Sequence, residues 1–264
     1  MKKLSAFLVV SALFVAPLAF AQAPAAPAAP ATQAAATPFP LPVQPPDVAG
    51  MKFDPATGQP QVSFLALHER FLATAKEGKA QVVFLGDSIT AGWSGAGKEV
   101  WAKAFGAYEP ANFGIGGDRT QHLLWRITNG ELDELHPKAA VIMIGTNNSS
   151  ADSIEGIAKG VTEVVKTVRT KLPETKILLL AIFPRGDKPD GKLGEKNTKL
   201  KQVNAILAKL DDKKNIHFLD IGEKFTKGKP ALDKAIMPDF LHLSPAGYEI
   251  WAEAITPKLT ELTK

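Results

Sequence analysis

The stretch 82–90 reads Val-Val-Phe-Leu-Gly-Asp-Ser-Ile-Thr. Its apolar residues run directly into a glycine and then into polar residues, which is typical of a short strand buried on both faces. Comparable apolar runs occur at 139–144, 177–183 and 216–219, with a weaker one near Asn112 and Phe113. The chain therefore predicts several short buried strands.

Longer stretches with the apolar spacing of helices separate these runs, at 120–127, 153–172, 195–210 and 245–262. Strands that alternate with helices predict a parallel sheet covered on both faces, with right-handed crossovers. The predicted fold class is therefore α/β, a three-layer sandwich whose central, mainly parallel sheet is flanked by helices. Because such sheets bind ligands at the carboxyl ends of their strands, the polar residues that follow the strands are the candidates for a site.

The amino terminus has the features of an export signal. Lys2 and Lys3 carry the only charges before a run of apolar and small residues that extends to Phe20. The triplet Ala19-Phe20-Ala21 resembles a cleavage site, so we predict a secretory signal peptide at 1–21. An uncleaved membrane anchor is the alternative, although the run is short for a bilayer span and contains a proline. We expect an exported protein, periplasmic or secreted, without stable membrane insertion after cleavage.

Residues 22–60 form an Ala/Pro-rich spacer and lead-in. From Gln22 to about Pro46 the chain is almost entirely Ala, Pro, Gln and Thr, a composition that buries too little apolar surface to offset the entropy of ordering. We therefore predict a disordered spacer and a folded part that begins near Gln61. Residues 61–264 are sufficient for one domain with a single sizeable core.

The charge and cysteine content exclude some classes of function. The formal net charge is +4, and loss of the two lysines of the signal peptide lowers it by two. The lysine clusters adjoin acidic residues and lack interleaved aromatic residues, so we expect no nucleic-acid partner. The chain contains no cysteine, which excludes both disulfides and catalysis by a thiolate.

Ser88 follows the first predicted strand, on the turn where a nucleophile would lie. The alternative is that Asp87 or Ser88 only caps the next helix. Near the other end of the chain, Asp239 and His242 lie on a loop that precedes the last predicted helix. A serine hydroxyl needs a base with a pKa near the working pH, and the imidazole needs a carboxylate to orient it. Ser88, His242 and Asp239 are therefore the candidate catalytic residues.

Acyl transfer also needs hydrogen-bond donors for the developing oxyanion. Gly117 lies in the glycine-rich stretch 112–117, where a main-chain N–H can approach a ligand without obstruction by a side chain. Asn147, in the stretch 145–148, offers a side-chain amide. The ordinary alternatives are a glycine-rich turn for the first stretch and an Asx turn for the second.

Other catalytic patterns fit the chain less well. The stretch 92–98 has the spacing of a phosphate-binding loop, but Glu99 stands where Ser or Thr would hold magnesium. Thr90 replaces the last glycine of the nucleophile elbow of α/β hydrolases. His68, His122, His136 and His217 are scattered without the spacing of metal ligands, so we expect no metal site.

Taken together and in this order, the four stretches resemble the SGNH or GDSL hydrolases, a family named after residues in four sequence blocks. The block residues match Ser88, Gly117, Asn147 and His242, with Asp239 as the acidic member of the triad. The resemblance extends from 81 to the carboxyl terminus. It is especially strong to the catalytic subunits of intracellular platelet-activating-factor acetylhydrolase, at 112–121, 123–126, 129–132, 145–148 and 184–186.

The resemblance implies a flavodoxin-like fold and a serine esterase that works without a metal or organic cofactor. It also implies an oxyanion hole formed by Ser88, Gly117 and Asn147. Two positions depart from the family pattern, since Ile89 replaces the leucine of the first block and Asn148 replaces an aspartate common in the third. Neither position is a catalytic group.

We expect hydrolysis of short-chain, acetyl carboxylic esters of a small molecule, carbohydrate or lipid. Ile89 follows the nucleophile and Leu241 precedes the base, so both are predicted to line a narrow acyl pocket; the alternative is that they pack in the core. A lysophospholipase or thioesterase for longer acyl chains is the second interpretation. A catalytically inactive, secreted binding module on the same fold is the third.

Overall fold

The computed structural model describes residues 41–264. The predicted signal peptide at 1–21 and the spacer residues 22–40 lie outside the described residues. Between 41 and 264, no helix combines the length and the apolar character that crossing a bilayer requires.

Five strands form one sheet in which every strand pairing is parallel. They are β1 Val82–Gly86, β2 Pro110–Gly114, β3 Ala139–Met143, β4 Lys176–Leu180 and β5 Ile216–Leu219. The order across the sheet is β2-β1-β3-β4-β5. This is the flavodoxin-like order, and its switch point for ligand binding lies between β1 and β3. All the predicted strands are present, including the weak one at β2.

Helices cover the sheet on both faces. They are α1 Val62–Lys76, α2 Ser88–Ala91, α3 Lys98–Phe105, α4 Thr120–Arg126, α5 Ile154–Lys171, α6 Glu195–Leu207, α7 Gly222–Thr226 and α8 Pro245–Leu262. The four helices expected from apolar spacing are confirmed as α4, α5, α6 and α8. The sequence did not predict α1, α3 or α7.

The two faces of the sheet bury separate hydrophobic cores. On β1, Val83 and Leu85 join the core that contains residues of α1, α4, α5 and α6. The alternate residues Val82 and Phe84 join the core of α3, α7 and α8, together with Trp93. Because successive side chains of a strand point to opposite faces, burial on both sides produces the continuous apolar runs seen in the sequence. The three-layer prediction is confirmed.

The chain before α1 also packs on the domain, so the ordered part of the chain extends to residues before Gln61. Residues 44–60, called here the N-terminal strap, cross the surface next to α4 and α5. The hydroxyl of Thr120 donates to the carbonyl of Pro46 at 2.7 Å, and the N–H of Gly50 donates to the carbonyl of Gln121 at 3.1 Å. Ordered contacts therefore begin before Gln61, through polar main-chain hydrogen bonds and without an apolar run.

Candidate active site

Ser88 is the first residue of α2, directly beyond the carboxyl end of β1. The carboxylate of Asp87 accepts the N–H of Ile89 at 3.0 Å and so caps this helix. A side chain at Gly86 would lie only 2.1 Å from the Thr90 hydroxyl and 2.4 Å from the Met143 carbonyl. Only glycine fits in this tight turn between strand and helix. Asp87 takes the capping role, which leaves the partly exposed Ser88 at the switch point of the sheet.

A chain of hydrogen bonds connects Ser88 to a base and a carboxylate. Ser88 Oγ lies 2.8 Å from His242 Nε2, and His242 Nδ1 lies 2.6 Å from Asp239 Oδ2. The other oxygen of Asp239 accepts the main-chain N–H groups of Leu241 at 3.1 Å and His242 at 2.7 Å. Partial burial opposes ionisation of Asp239, but the hydrogen bonds from His242 and Leu241 outweigh it and hold the pKa of Asp239 below its usual value. An ionised carboxylate at Nδ1 favours the tautomer whose Nε2 can accept a proton from Ser88.

Phe240 shapes the loop between this carboxylate and this base. Its φ of 60° is in the left-handed region, which is rare for an aromatic residue and turns the chain sharply between Asp239 and His242. The carbonyl of Phe240 accepts the N–H of Gly186 at 2.9 Å. A side chain at Gly191 would lie 2.5 Å from the Phe240 ring. The two glycines therefore leave the space into which Phe240 packs, and this packing supports the strained turn.

The two predicted oxyanion donors follow the neighbouring strands β2 and β3. Gly117 has a φ of 72°, a conformation that favours glycine, and its N–H has no acceptor within residues 41–264. Asn147 is partly exposed, and its amide donates to the carbonyl of Asp118 at 2.9 Å. Since an amide group has two hydrogens, one remains for another acceptor. The structure thus brings the two blocks into direct contact.

A buried ion network lies beneath the glycine-rich turn. Arg126 Nε donates to Asp118 Oδ2 at 3.0 Å, and Nη1 contacts the carboxylate of Glu131. Nη2 donates to the carbonyl of Phe113 at 3.0 Å, at the end of β2. All three charged side chains are fully buried. Because removal of one partner would leave an uncompensated buried charge, the network holds the turn firmly against the ends of the strands.

Asn148 differs from its neighbour Asn147 in being completely buried. Its side-chain oxygen accepts the N–H of Thr120 at 3.0 Å. Its amide donates to Gln121 Oε1 at 3.1 Å and to Asp152 Oδ2 at 2.8 Å. Asn148 therefore ties the start of α4 to the loop after β3. The stretch 145–148 thus combines a structural asparagine with one that is available to a ligand.

Two ionisable groups near the site have strongly altered proton affinities. Burial raises the pKa of Asp87 to about 7, although the hydrogen bond from Ile89 acts in the opposite direction. Burial also lowers the pKa of His122 to about 3, and the nearby positive charges of Lys52 and Arg119 contribute. His122 Nδ1 accepts the N–H of Arg119 at 3.1 Å, so this histidine is a neutral structural group.

The two candidate pocket residues lie in different environments. Ile89 is 1% exposed and packs in the core beside α8, where its carbonyl accepts the hydroxyl of Tyr248 at 2.6 Å. Ile89 therefore packs in the core, which was the alternative to its predicted place in the acyl pocket. Leu241 packs against the same core but remains partly exposed next to His242.

Among residues 41–264, no group of three His, Cys, Asp or Glu residues is arranged to hold a metal ion.

Comparison with known proteins decides the family. The model of the GDSL-like lipase/acylhydrolase family matches residues 84–250, which include both ends of the Ser88–His242–Asp239 hydrogen-bond chain. This chain belongs to the GDSL-like lipase/acylhydrolase family. The GDSL acylhydrolase described here is therefore a carboxylic ester hydrolase.

Curated relatives of this GDSL acylhydrolase include platelet-activating factor acetylhydrolase subunits. The IB subunit alpha1 of Homo sapiens is 37% identical over 200 residues, which cover 75% of this chain and 84% of the relative. The IB subunit alpha2 of Rattus norvegicus is 37% identical over 185 residues, which cover 70% and 78%. The similarity predicted from the sequence blocks is confirmed.

Solved structures confirm the fold of this GDSL acylhydrolase. A GDSL-like lipase from Bacteroides thetaiotaomicron superposes with a TM-score of 0.60 at 20% identity, covering 74% of this chain and 97% of that one. An acetyl-xylooligosaccharide esterase from Geobacillus superposes with a TM-score of 0.54 at 20% identity, covering 71% and 96%. At these identities the similarity shows the SGNH-type fold alone.

Proposed function

We propose that this acylhydrolase is a serine esterase for short-chain, acetyl carboxylic esters. Ser88 is the nucleophile, His242 is the general base and Asp239 orients the imidazole. The oxyanion is bound by the N–H groups of Ser88 and Gly117 and by the amide of Asn147. The observation that carries this proposal is the continuous chain from Ser88 Oγ to Nε2 at 2.8 Å and from Nδ1 to Asp239 at 2.6 Å.

The proposed reaction uses only side chains and main-chain groups of this domain. Ser88 Oγ attacks the ester carbonyl carbon while its proton passes to His242 Nε2. The imidazolium then returns this proton to the leaving alkoxide, and the acyl group remains on Ser88. In the second half, His242 takes a proton from water as the oxygen of that water attacks the acyl carbon, and the imidazolium then returns the proton to Ser88 Oγ as the carboxylic acid leaves. No metal or organic cofactor takes part.

Two observations support a preference for the acetyl group. Leu241 is a bulky, partly exposed residue directly before the proposed base, which supports a limit on the length of the acyl chain. The relatives and neighbours include proteins named as acetylhydrolases and as an acetyl-xylooligosaccharide esterase. A lysophospholipase or thioesterase for longer chains is the competing function. It predicts the opposite dependence of rate on chain length.

We also propose that the enzyme is exported and acts on a carbohydrate, lipid or other small acyl ester outside the cytoplasm. The support is the pair Lys2 and Lys3, the apolar run after them and the triplet Ala19-Phe20-Ala21. An inactive secreted binding module would not require the close contacts between Ser88, His242 and Asp239. Their hydrogen-bond geometry therefore favours the enzyme.

Covalent trapping tests the nucleophile directly. A fluorophosphonate probe, which reacts with an activated serine, is expected to label Ser88 in the wild type, as located by peptide mass spectrometry. Ser88→Ala should lose labelling and ester hydrolysis while keeping its melting temperature, because Ser88 lies on a partly exposed turn. Ser63→Ala, at an exposed position of α1, is the control and should behave as the wild type. Labelling of a different serine, or none, would overturn the assignment.

A further inference from the structure

The N-terminal strap makes directed contacts with the start of α4. Thr120 Oγ1 donates to the Pro46 carbonyl at 2.7 Å, and the Gly50 N–H donates to the Gln121 carbonyl at 3.1 Å. The buried Asn148 contacts the same two residues of α4. The strap and the loop after β3 therefore both contact the first turn of α4. The strap also lies outside residues 84–250, which the family model matches.

The middle of α5 has a glycine where the strap crosses it. A side chain at Gly160 would lie 2.6 Å from the Pro46 carbonyl and 2.5 Å from the Thr120 hydroxyl. Glycine is less favourable than alanine inside a helix. α5 nevertheless has glycine at position 160, where any larger side chain would collide with the strap. The absence of a side chain at Gly160 therefore provides the space in which the strap packs on α5.

Lys52 brings a positive charge from the strap to the glycine-rich turn. Its Nζ donates to the Gly116 carbonyl at 2.5 Å and to Asp118 Oδ1 at 3.3 Å. The side chain is 15% exposed, and the side chain of Asp118 is fully buried. A side chain at Gly117 would lie 3.3 Å from the same Nζ. The ammonium group thus contacts the residues on both sides of Gly117.

Asp118 connects this contact to both oxyanion donors. Arg126 holds Oδ2 of Asp118 from the core, whereas Lys52 holds Oδ1 from the strap. The main-chain carbonyl of the same Asp118 accepts the amide of Asn147. Gly116 and Gly117 have no side chains with which to fix the turn themselves. The direction of the Gly117 N–H and of the Asn147 amide therefore depends on the three contacts of Asp118, which are those with Arg126, Lys52 and Asn147.

We propose that Lys52 is a positioning residue for the oxyanion hole and that the N-terminal strap is a structural part of the active site. This inference rests on the proposed esterase function. Lys52 holds the turn of Gly116–Asp118 so that the Gly117 N–H and the Asn147 amide point to where the negative charge develops. Without it, the donors lose their alignment while the nucleophile and base remain in place. The loss falls on the transition state, because substrate binding does not depend on that charge.

The central experiment compares Lys52→Met, which keeps the length of the side chain, with Lys52→Arg, which keeps the charge and donors. The assay is steady-state hydrolysis of p-nitrophenyl acetate by the full chain, with the melting temperature measured for each variant. We expect Lys52→Met to lower kcat by about 10- to 100-fold, as small misplacements in catalytic sites do. KM should change by less than about threefold. Lys52→Arg should recover most of kcat, and Lys79→Met, at an exposed lysine, should match the wild type.

A second variant approaches the same contact from α5. Gly160→Ala is expected to displace Pro46 and Thr120 and to lower kcat although Lys52 is intact. Because both changes act through one strap, the double variant with Lys52→Met should lose less activity than the product of the two single losses. Gly160→Ala also keeps the inference testable if Lys52→Met does not fold.

The possible outcomes separate this inference from the proposed function. A wild type that neither hydrolyses the acetate nor labels at Ser88 would contradict the esterase assignment. An active wild type with an equally active, folded Lys52→Met would contradict the positioning role alone. A rise in KM at constant kcat would instead make Lys52 a ligand of the substrate and would overturn the role proposed here.

Discussion

The side-chain amide of Asn147 donates to the main-chain carbonyl of Asp118 at 2.9 Å and joins the loops that follow β3 and β2. These loops carry the two residues that the sequence offered as separate oxyanion donors, Gly117 and Asn147. The bond makes them one unit whose geometry is shared. A change in either loop is therefore expected to affect both donors.

We expect Asn147→Ala to lower kcat by about 10² to 10³, the loss seen when an oxyanion donor is removed from a hydrolase. KM should change little, since the amide acts mainly on the transition state. Steady-state kinetics on p-nitrophenyl acetate measures both constants. Asn148→Ala is the comparison: its side chain is fully buried, so its principal effect should be a lower melting temperature. An unchanged kcat in folded Asn147→Ala would return Asn147 to a structural role.

Replacement of the carboxylate should separate orientation of the imidazole from folding. Asp239→Asn is expected to lower kcat by up to about 10⁴, because an amide at Nδ1 favours the wrong tautomer of His242. The side chain of Asp239 is 55% exposed, so the melting temperature should change little. Asp190→Asn removes an exposed carboxylate paired with Lys192 and serves as the control. Equal kcat values for the two variants would contradict the role of Asp239.

The acyl preference is expected to depend on Leu241. The wild type should show its highest kcat/KM on p-nitrophenyl acetate, with lower values on butyrate and octanoate measured below their aggregation limits. Leu241→Ala should increase the relative rate on butyrate by removing the side chain beside the base. A wide site would instead reward each added methylene by about 0.8 kcal/mol of burial. Ile89→Val, a change within the core, should leave the order unchanged. Octanoate as the preferred wild-type substrate would favour the lysophospholipase function.

The buried carboxyl of Asp87 should make stability depend on pH. Its pKa is raised from 3.8 to about 7, so the folded state keeps a proton that the unfolded chain releases between these values. The stability contributed by this proton is present below pH 4 and is lost as the pH rises through 7. Asp87→Asn keeps a capping oxygen for Ile89 but removes the ionisation. We expect its melting temperature to exceed that of the wild type by roughly 3 °C or more at pH 8. The difference should disappear near pH 4, and a difference independent of pH would contradict this origin.

The sheet and the main site residues could be predicted because local features carry them. Strands buried on both faces are continuous apolar runs, and the polar residues directly after them, such as Ser88 and Asn147, had to lie at one edge of the sheet. The helix α1 escaped prediction because it buries few residues, among them Phe64, His68 and Ala75, so its apolar spacing is weak.

The ion network and the strap depend on contacts that local patterns do not record. Arg126 pairs with Glu131, five residues later, only because the chain after α4 turns irregularly at 127–131. Helical spacing would instead have paired residues three or four apart. Thr120 lies 74 residues after its partner Pro46, which belongs to a stretch whose composition indicates disorder. Composition does not reveal single hydrogen bonds to main-chain atoms, so the order of the strap could not be predicted from it.

The contacts of the strap also limit the order in which parts of the chain can associate during synthesis. It leaves the ribosome before the parts of the chain to which it binds, since Thr120 and Gly160 are synthesised later, and His242 follows Ser88 by 154 residues. Contacts so distant along the chain form late in folding, because long loops must close first. The strap of a nascent chain therefore has no docking site until α4 and α5 have been synthesised. On the proposed mechanism, ester hydrolysis also waits for His242, which is synthesised after all five strands of the sheet.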